Sequence, residues 1–158
     1  MASVLPIQAD QVAILRPLVY GSVVVLCTIV IHALAVSATV NLVRSEQRIG
    51  HVGESFGADL AIVVVATVIA FAAHLIEMAI WASLFVICGE FTTFRAAFDH
   101  SAVNYTTLGY GNVVMTPAWR LLGPLEAADG MLMFGVTTAM IFAVIQWLIR
   151  ARIRDLRN

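Results

Sequence analysis

Three long apolar runs constrain this chain more than any other feature: Leu18 to Val40, Leu60 to Cys88 and Glu126 to Ile149. A helix rises about 1.5 Å per residue and a bilayer's hydrocarbon core is about 30 Å thick, so each run is long enough to cross. In lipid, every backbone N–H and C=O must find a partner within the protein, and a helix meets that demand inside one segment. The sequence therefore predicts an all-α membrane protein with three transmembrane helices. Composition agrees: of 158 residues, 61% are hydrophobic and 12% charged, against roughly a quarter charged in soluble domains. One membrane domain is expected to account for the whole chain.

Charge narrows the function classes. The formal net charge is −1, which gives no reason to expect a nucleic acid or an acidic ligand. Cys27 and Cys88 fall inside apolar runs without metal-ligand spacing, the usual setting of small core hydrophobes. The N-terminus has no basic stretch and no small-residue cleavage site, so the first apolar run is expected to be retained. No enzymatic chemistry and no organic cofactor are expected.

The segments between the runs set the topology. Ala9 to Arg16 reads as a short interfacial helix ended by Pro17, and Asn41 to Asp59 as a polar loop. The second run exceeds what a bilayer needs, so it is expected to tilt or project. Phe94 to Tyr105 is too short and too polar to span, and a glycine-rich stretch follows it. Irregular backbone at membrane depth is tolerated only when buried in protein or lining a water path. A re-entrant helix there would aim its negative C-terminal end at a central cavity, favouring a cation. Val113 to Pro124 reads as an external return loop, with Trp119 placed for an interface. Arg150, Arg152, Arg154 and Arg157 follow the last run and read as cytoplasmic. Three spans then put the N-terminus outside.

The glycine-rich stretch is Thr106-Thr107-Leu108-Gly109-Tyr110-Gly111-Asn112. It resembles the selectivity filter of potassium channels. From about Leu60 onward, the order span, short helix, filter, span resembles the two-helix pore module of the tetrameric potassium channels, especially small bacterial ion-channel proteins. The resemblance implies two parts: residues 1–57, with the first span and a cytoplasmic loop, and residues 58–158 as pore module. It implies a homotetramer in the cell (inner) membrane with K⁺ as permeant ion and the bilayer as its other partner. The carbonyls of Thr107, Leu108, Gly109 and Tyr110 would replace the ion's water shell. Thr107 would add its hydroxyl at the innermost site, Gly111 would close the outer end, and Gly135 stands where a flexible glycine often lies. Many relatives carry Asp where this chain has Asn112, and some carry a carboxylate where it has Val103. A carboxyl pair bracing the filter from these positions is thus absent. The first span lacks the repeated basic residues of a voltage sensor.

Other residues carry two readings each. His74 and Glu77 share a helix face near the middle of the second span, where ionisable groups are costly. They read as a proton-sensitive latch, or as a hydrogen-bonded tie to the short helix through Asp99, His100 or Asn104. Gly135 reads as a hinge or as a close-packing contact. Glu90, Asp99, Glu126 and Asp129 read as an outer field that concentrates cations, with Glu126 and Asp129 also favouring a helix N-terminus. Two other functions stay open. One is a haem-binding membrane anchor with His32 and His74 as axial ligands; the other is a weakly selective cation channel.

Overall fold

The computed structural model describes residues 4–49, 55–110 and 113–155. Four helices follow in order: α1 Val4–Ile49, α2 Phe56–Ile87, α3 Phe94–Tyr105 and α4 Leu122–Asp155. The described residues include no strand. Three stretches are long and apolar enough to cross a membrane: Ile14–Arg48, Phe56–Ile87 and Leu122–Ile153. The all-helical class and the three spans are as predicted, and α3 has the predicted bounds.

The long helices outrun their predicted ends. α1 continues through Pro17 instead of breaking there. A proline removes one helical hydrogen bond, whereas a break would leave several backbone groups without partners in lipid. α1 also runs on to Ile49, past Val40. The segment Asn41 to Ile49 is polar, but it contains neither glycine nor proline, and polarity alone does not end a helix. α2 starts at Phe56 because Ser55 caps it: the Ser55 hydroxyl accepts from the Ala58 N–H at 3.2 Å. α4 begins at Leu122, with Pro124 in its first turn, where the missing N–H costs nothing. It extends to Asp155, so the start of the arginine tail is helical.

The chain packs as two compact units. One contains the described residues up to Ile29 together with Ile76–Leu132; the other contains Val30–Leu75 and the described residues from Met133 onward. In the first unit, Trp81, Phe85, Tyr105 and Leu122 are fully buried. Phe85, Phe91 and His100 form a ring cluster, with His100 centroids 5.5 Å from Phe85 and 4.9 Å from Phe91. Trp119 packs edge-on against Tyr20 at 5.7 Å. In the second unit, Ile62, Val144 and Leu148 form a core flanked by Val43, Val63 and Trp147. An Arg152–Asp59 ion pair at 3.8 Å lies half in solvent and contributes little. Large apolar side chains face outward on all three long helices, among them Leu26, Leu34, Val68, Phe71, Leu132 and Phe142. Such a surface calls for lipid or a neighbouring chain to cover it.

Candidate functional site

The site is built on α3, and both ends of that helix are closed by local chemistry. At the start, Thr93 is extended and its hydroxyl accepts from the Ala96 N–H at 3.3 Å. At the end, the Thr107 N–H donates to the Asn104 carbonyl at 2.9 Å, and the Leu108 N–H donates to the Val103 carbonyl at 3.0 Å. This is the Schellman pattern, which needs a left-handed residue just past the helix cap. α2 ends the same way, with Gly89 at φ +76° and bonds from Gly89 to Val86 and from Glu90 to Phe85. After α3 the left-handed position is instead held by Thr107, at φ 60°. A β-branched residue is an outlier there, and such strain clusters at functional sites.

Gly109 repeats the left-handed turn at φ 57°, while Leu108 and Tyr110 keep negative φ. Alternation of handedness turns successive peptide planes the same way, so one kind of backbone group collects on one side. The N–H groups of Thr106, Thr107, Leu108 and Gly109 all donate back to carbonyls of Ala102, Val103 or Asn104. The last carbonyls of α3 therefore hold filter amides rather than a bare cavity. Thr107, Leu108, Gly109 and Tyr110 are exposed in the single chain. Gly111 and Asn112 lie outside the described residues.

Three buried acids surround the last turns of α3. Ala97, Ser101 and Tyr105 form its buried stripe at helical spacing. The Tyr105 hydroxyl donates to the Glu77 carboxylate on α2. Burial, and then the Glu77 charge and hydrogen bond, raise the Tyr105 pKa, so this group remains a donor. The Ser101 hydroxyl lies 2.5 Å from Glu126 Oε1 on α4. Asp129 accepts from the Trp81 indole at 2.9 Å and from the Thr28 hydroxyl at 2.9 Å. Glu126 and Asp129 are 0% and 1% exposed, so the reading of them as an outer cation field is corrected: they lie inside the packing. α4 also meets α3 through its backbone, since a Cβ on Gly130 would overlap the Tyr105 carbonyl. α2 and α4 thus bring carboxyls against α3, although the Val103 position carries none.

The outer part of the unit is tied by loops. Glu90 accepts from the Thr116 N–H at 2.8 Å and from its hydroxyl at 2.5 Å, fastening the return loop. Asp99 is exposed. Phe91, Asp99, His100, Asn104 and Tyr110 line a cavity of about 390 Å³ beside the filter. His100 Nε2 and Asn104 Nδ2 are 3.0 Å apart. Asn104 Nδ2 is a donor only, so the imidazole accepts and is neutral. Burial lowers the His100 pKa from its usual value near 6.5, with Glu90 opposing. On acidification the unfolded chain then takes up the proton first. The contribution to stability is complete above about 6.5 and is lost as pH falls through the lowered folded value. The melting temperature of the solubilised protein is expected to drop between pH 7 and pH 5, and His100→Gln is expected to flatten that slope. An unchanged slope in the variant would assign the titration to another group.

In the second unit, His32 and His74 meet at Thr137. The Thr137 hydroxyl lies 3.0 Å from His74 Nε2 and 3.1 Å from His32 Nε2. His74 also stacks on Phe134 at 4.4 Å. The two imidazoles are 5.1 Å apart centre to centre, which leaves no room for a haem between them. Both nitrogens that would take iron are directed at the threonine. A Cβ on Gly135 would meet nothing within 4 Å, so close packing within the chain does not explain this glycine.

The sequence places α3 at its observed bounds and singles out the glycine-rich stretch that follows it. It marks His74 and Glu77 without their partners: the Tyr105 hydroxyl donates to Glu77, and the Thr137 hydroxyl meets His74 Nε2. It missed Ser101, Gly130, Trp81, Thr28 and Thr137. Two signals were available: the Ala97, Ser101, Tyr105 stripe, and two carboxylates at the head of an apolar run.

With this geometry in place, a comparison with protein families becomes informative. Residues 73–146 match a family model described as "Ion channel". No curated protein and no solved structure matches the chain. The matched range runs from α2 through α3 and the filter stretch into α4. It supports ion-channel function, a transport role rather than an enzymatic one. Together with the three apolar helices, it supports a membrane location.

Proposed function

We propose that the chain forms a homotetrameric, potassium-selective channel. Four copies of Thr107 to Gly111 line one axis, and their carbonyls take the place of the water shell of K⁺. Conduction is passive: ions occupy several carbonyl sites and displace one another in file. Residues 58–158 form the pore module, and residues 1–57 add a span around it. The channel sits in the cell (inner) membrane, with the N-terminus outside and the C-terminus inside.

The observation that carries this reading is the alternation of handedness at Thr107 and Gly109, with the amides turned back onto α3. A loop that merely reversed the chain would not need a strained threonine where the same cap after α2 uses glycine. The outward apolar surfaces of the long helices fit an assembly embedded in lipid.

Reconstitution into liposomes tests the proposal. A K⁺ gradient is expected to drive flux well above that of an equal Na⁺ gradient, and native mass measurement in mild detergent is expected to give four chains. Equal K⁺ and Na⁺ permeability of intact tetramers would refute potassium selectivity and leave a weakly selective cation channel. A conducting monomer would refute the ring.

A further inference from the structure

We propose that Glu126 is a neutral carboxylic acid that positions the start of the filter, acting through Ser101 as the middle member of a proton-ordered chain. The positioning part rests on the conduction reading above; the protonation part does not.

Ser101 Oγ lies 2.9 Å from the Met78 carbonyl and 2.5 Å from Glu126 Oε1. A serine hydroxyl carries one proton, and a backbone carbonyl can only accept. An ionised carboxylate can also only accept. With Glu126 ionised, one hydroxyl proton faces two acceptors, and one contact becomes oxygen against oxygen. With a proton on Oε1, both contacts are satisfied in sequence: Glu126 O–H donates to Ser101 Oγ, and Ser101 O–H donates to the Met78 carbonyl.

The rest of the carboxyl agrees. Glu126 Oε2 is buried with no partner at hydrogen-bond distance; the Asn104 amide on α3 also bears on this carboxyl, as a neutral donor that either protonation state can accept. A bare carboxylate oxygen in that position would be a buried unpaired charge, whereas a neutral carbonyl oxygen costs far less. Asp129 lies one turn along α4, and Glu77 of α2 meets Tyr105, one turn after Ser101 on α3. Like charges crowded out of water disfavour joint ionisation. Of the three acids, Glu77 receives the Tyr105 hydroxyl and Asp129 the Trp81 indole N–H, while Glu126 is the one whose second oxygen meets no donor at hydrogen-bond distance.

The chain's position gives it a task. Ser101 stands one turn before Tyr105 on the buried stripe of α3. Tyr105 is the last helical residue, and the next turn is the Schellman cap that sets Thr107. Linking Met78 on α2, Ser101 on α3 and Glu126 on α4 therefore fixes where the first filter carbonyl stands.

Two measurements on the full-length protein test this. Infrared difference spectra of parent and Glu126→Gln should show a protonated carboxylic C=O band in the parent that the variant lacks. Absence of that band from the parent, or its persistence in the variant, would overturn the neutral acid whatever the channel conducts. In bilayers, Glu126→Gln should keep the parent's K⁺ over Na⁺ preference, because the amide N–H₂ can still donate to Ser101. Glu126→Ala should lose roughly tenfold of that preference, equivalent to one lost hydrogen bond of about 1.4 kcal/mol. An assembled Glu126→Ala tetramer with the parent's preference would overturn the positioning role. Should Glu126→Ala fail to assemble, Ser101→Ala decides by the same ratio, with a kept preference again overturning it. A parent without K⁺ preference would bring down the conduction reading and the positioning role together, while the infrared band would still decide the protonation.

Discussion

Replacing Gly130 by alanine is expected to destabilise this protein strongly. The added methyl would overlap the Tyr105 carbonyl, and the atoms it meets are backbone at the end of α3, not the tip of a side chain that could swing away. Gly130 is itself buried within α4. Overpacking of this kind costs about 1–3 kcal/mol per chain, and a rigid opponent puts the cost at the upper end. A tetramer would carry the penalty four times. The expected result is a large fall in the melting temperature of the solubilised protein and, for the proposed tetramer, a shift toward dissociated chains. Gly135→Ala is the matched control. No atom lies near its added methyl, and alanine favours a helix over glycine by about 1 kcal/mol, so stability should hold or rise. If Gly130→Ala melted like the parent, the tight α3–α4 approach would be wrong. If Gly135→Ala changed open probability while its stability held, the hinge reading would gain direct support.

Gly109→Ala is expected to abolish or scramble selective conduction while leaving the chain folded. Here space is not the obstacle, since the nearest heavy atom to an added Cβ is the Thr107 carbonyl oxygen at 4.0 Å. The obstacle is conformation. Gly109 holds φ +57°, where an L-residue pays about 1–2 kcal/mol in steric strain. Thr107 already bears that strain two residues earlier, so a second strained residue in so short a segment would favour a different path of the backbone. The carbonyls would then leave one side, and the ion sites would be lost. Single-channel recording of assembled tetramers checks this. Selective K⁺ currents from Gly109→Ala at parental conductance would remove Gly109 from the ion path. D-alanine introduced by semisynthesis separates conformation from bulk, because the D-residue favours positive φ. It is expected to restore selectivity.

The residues that settle the fold and those that settle the site were not equally visible. The three apolar runs announced three membrane helices because lipid permits few alternatives, and α3 announced itself by being too short and too polar to span. The glycine-rich stretch after α3 stood out because glycine at alternate positions marks backbone that needs unusual freedom. Helix ends were less legible. The polarity of Asn41 to Asp59 reads as a loop, yet α1 runs on to Ile49, because helix formation depends on backbone hydrogen bonding and no residue up to Ile49 opposes it. Pro17 was read as a stop, yet a surrounding without water makes a break costlier than a lost bond.

By itself, then, the sequence determined the number of spans, the order of span, short helix, glycine-rich stretch and span, and where glycine lends the backbone its freedom. These follow from local properties: length, apolarity and glycine placement. Only the tertiary structure decided what braces α3. Glu77 and Tyr105 stand 28 residues apart, Ser101 and Glu126 stand 25 apart, and Thr28 and Asp129 stand 101 apart. No helical period connects such positions. Glu126 and Asp129 looked like outer charges because they sit at the head of a helix, and they proved internal because α4 begins earlier and packs against α3. Burial of a charge is a property of what surrounds it in space, and that is fixed only when the helices have packed.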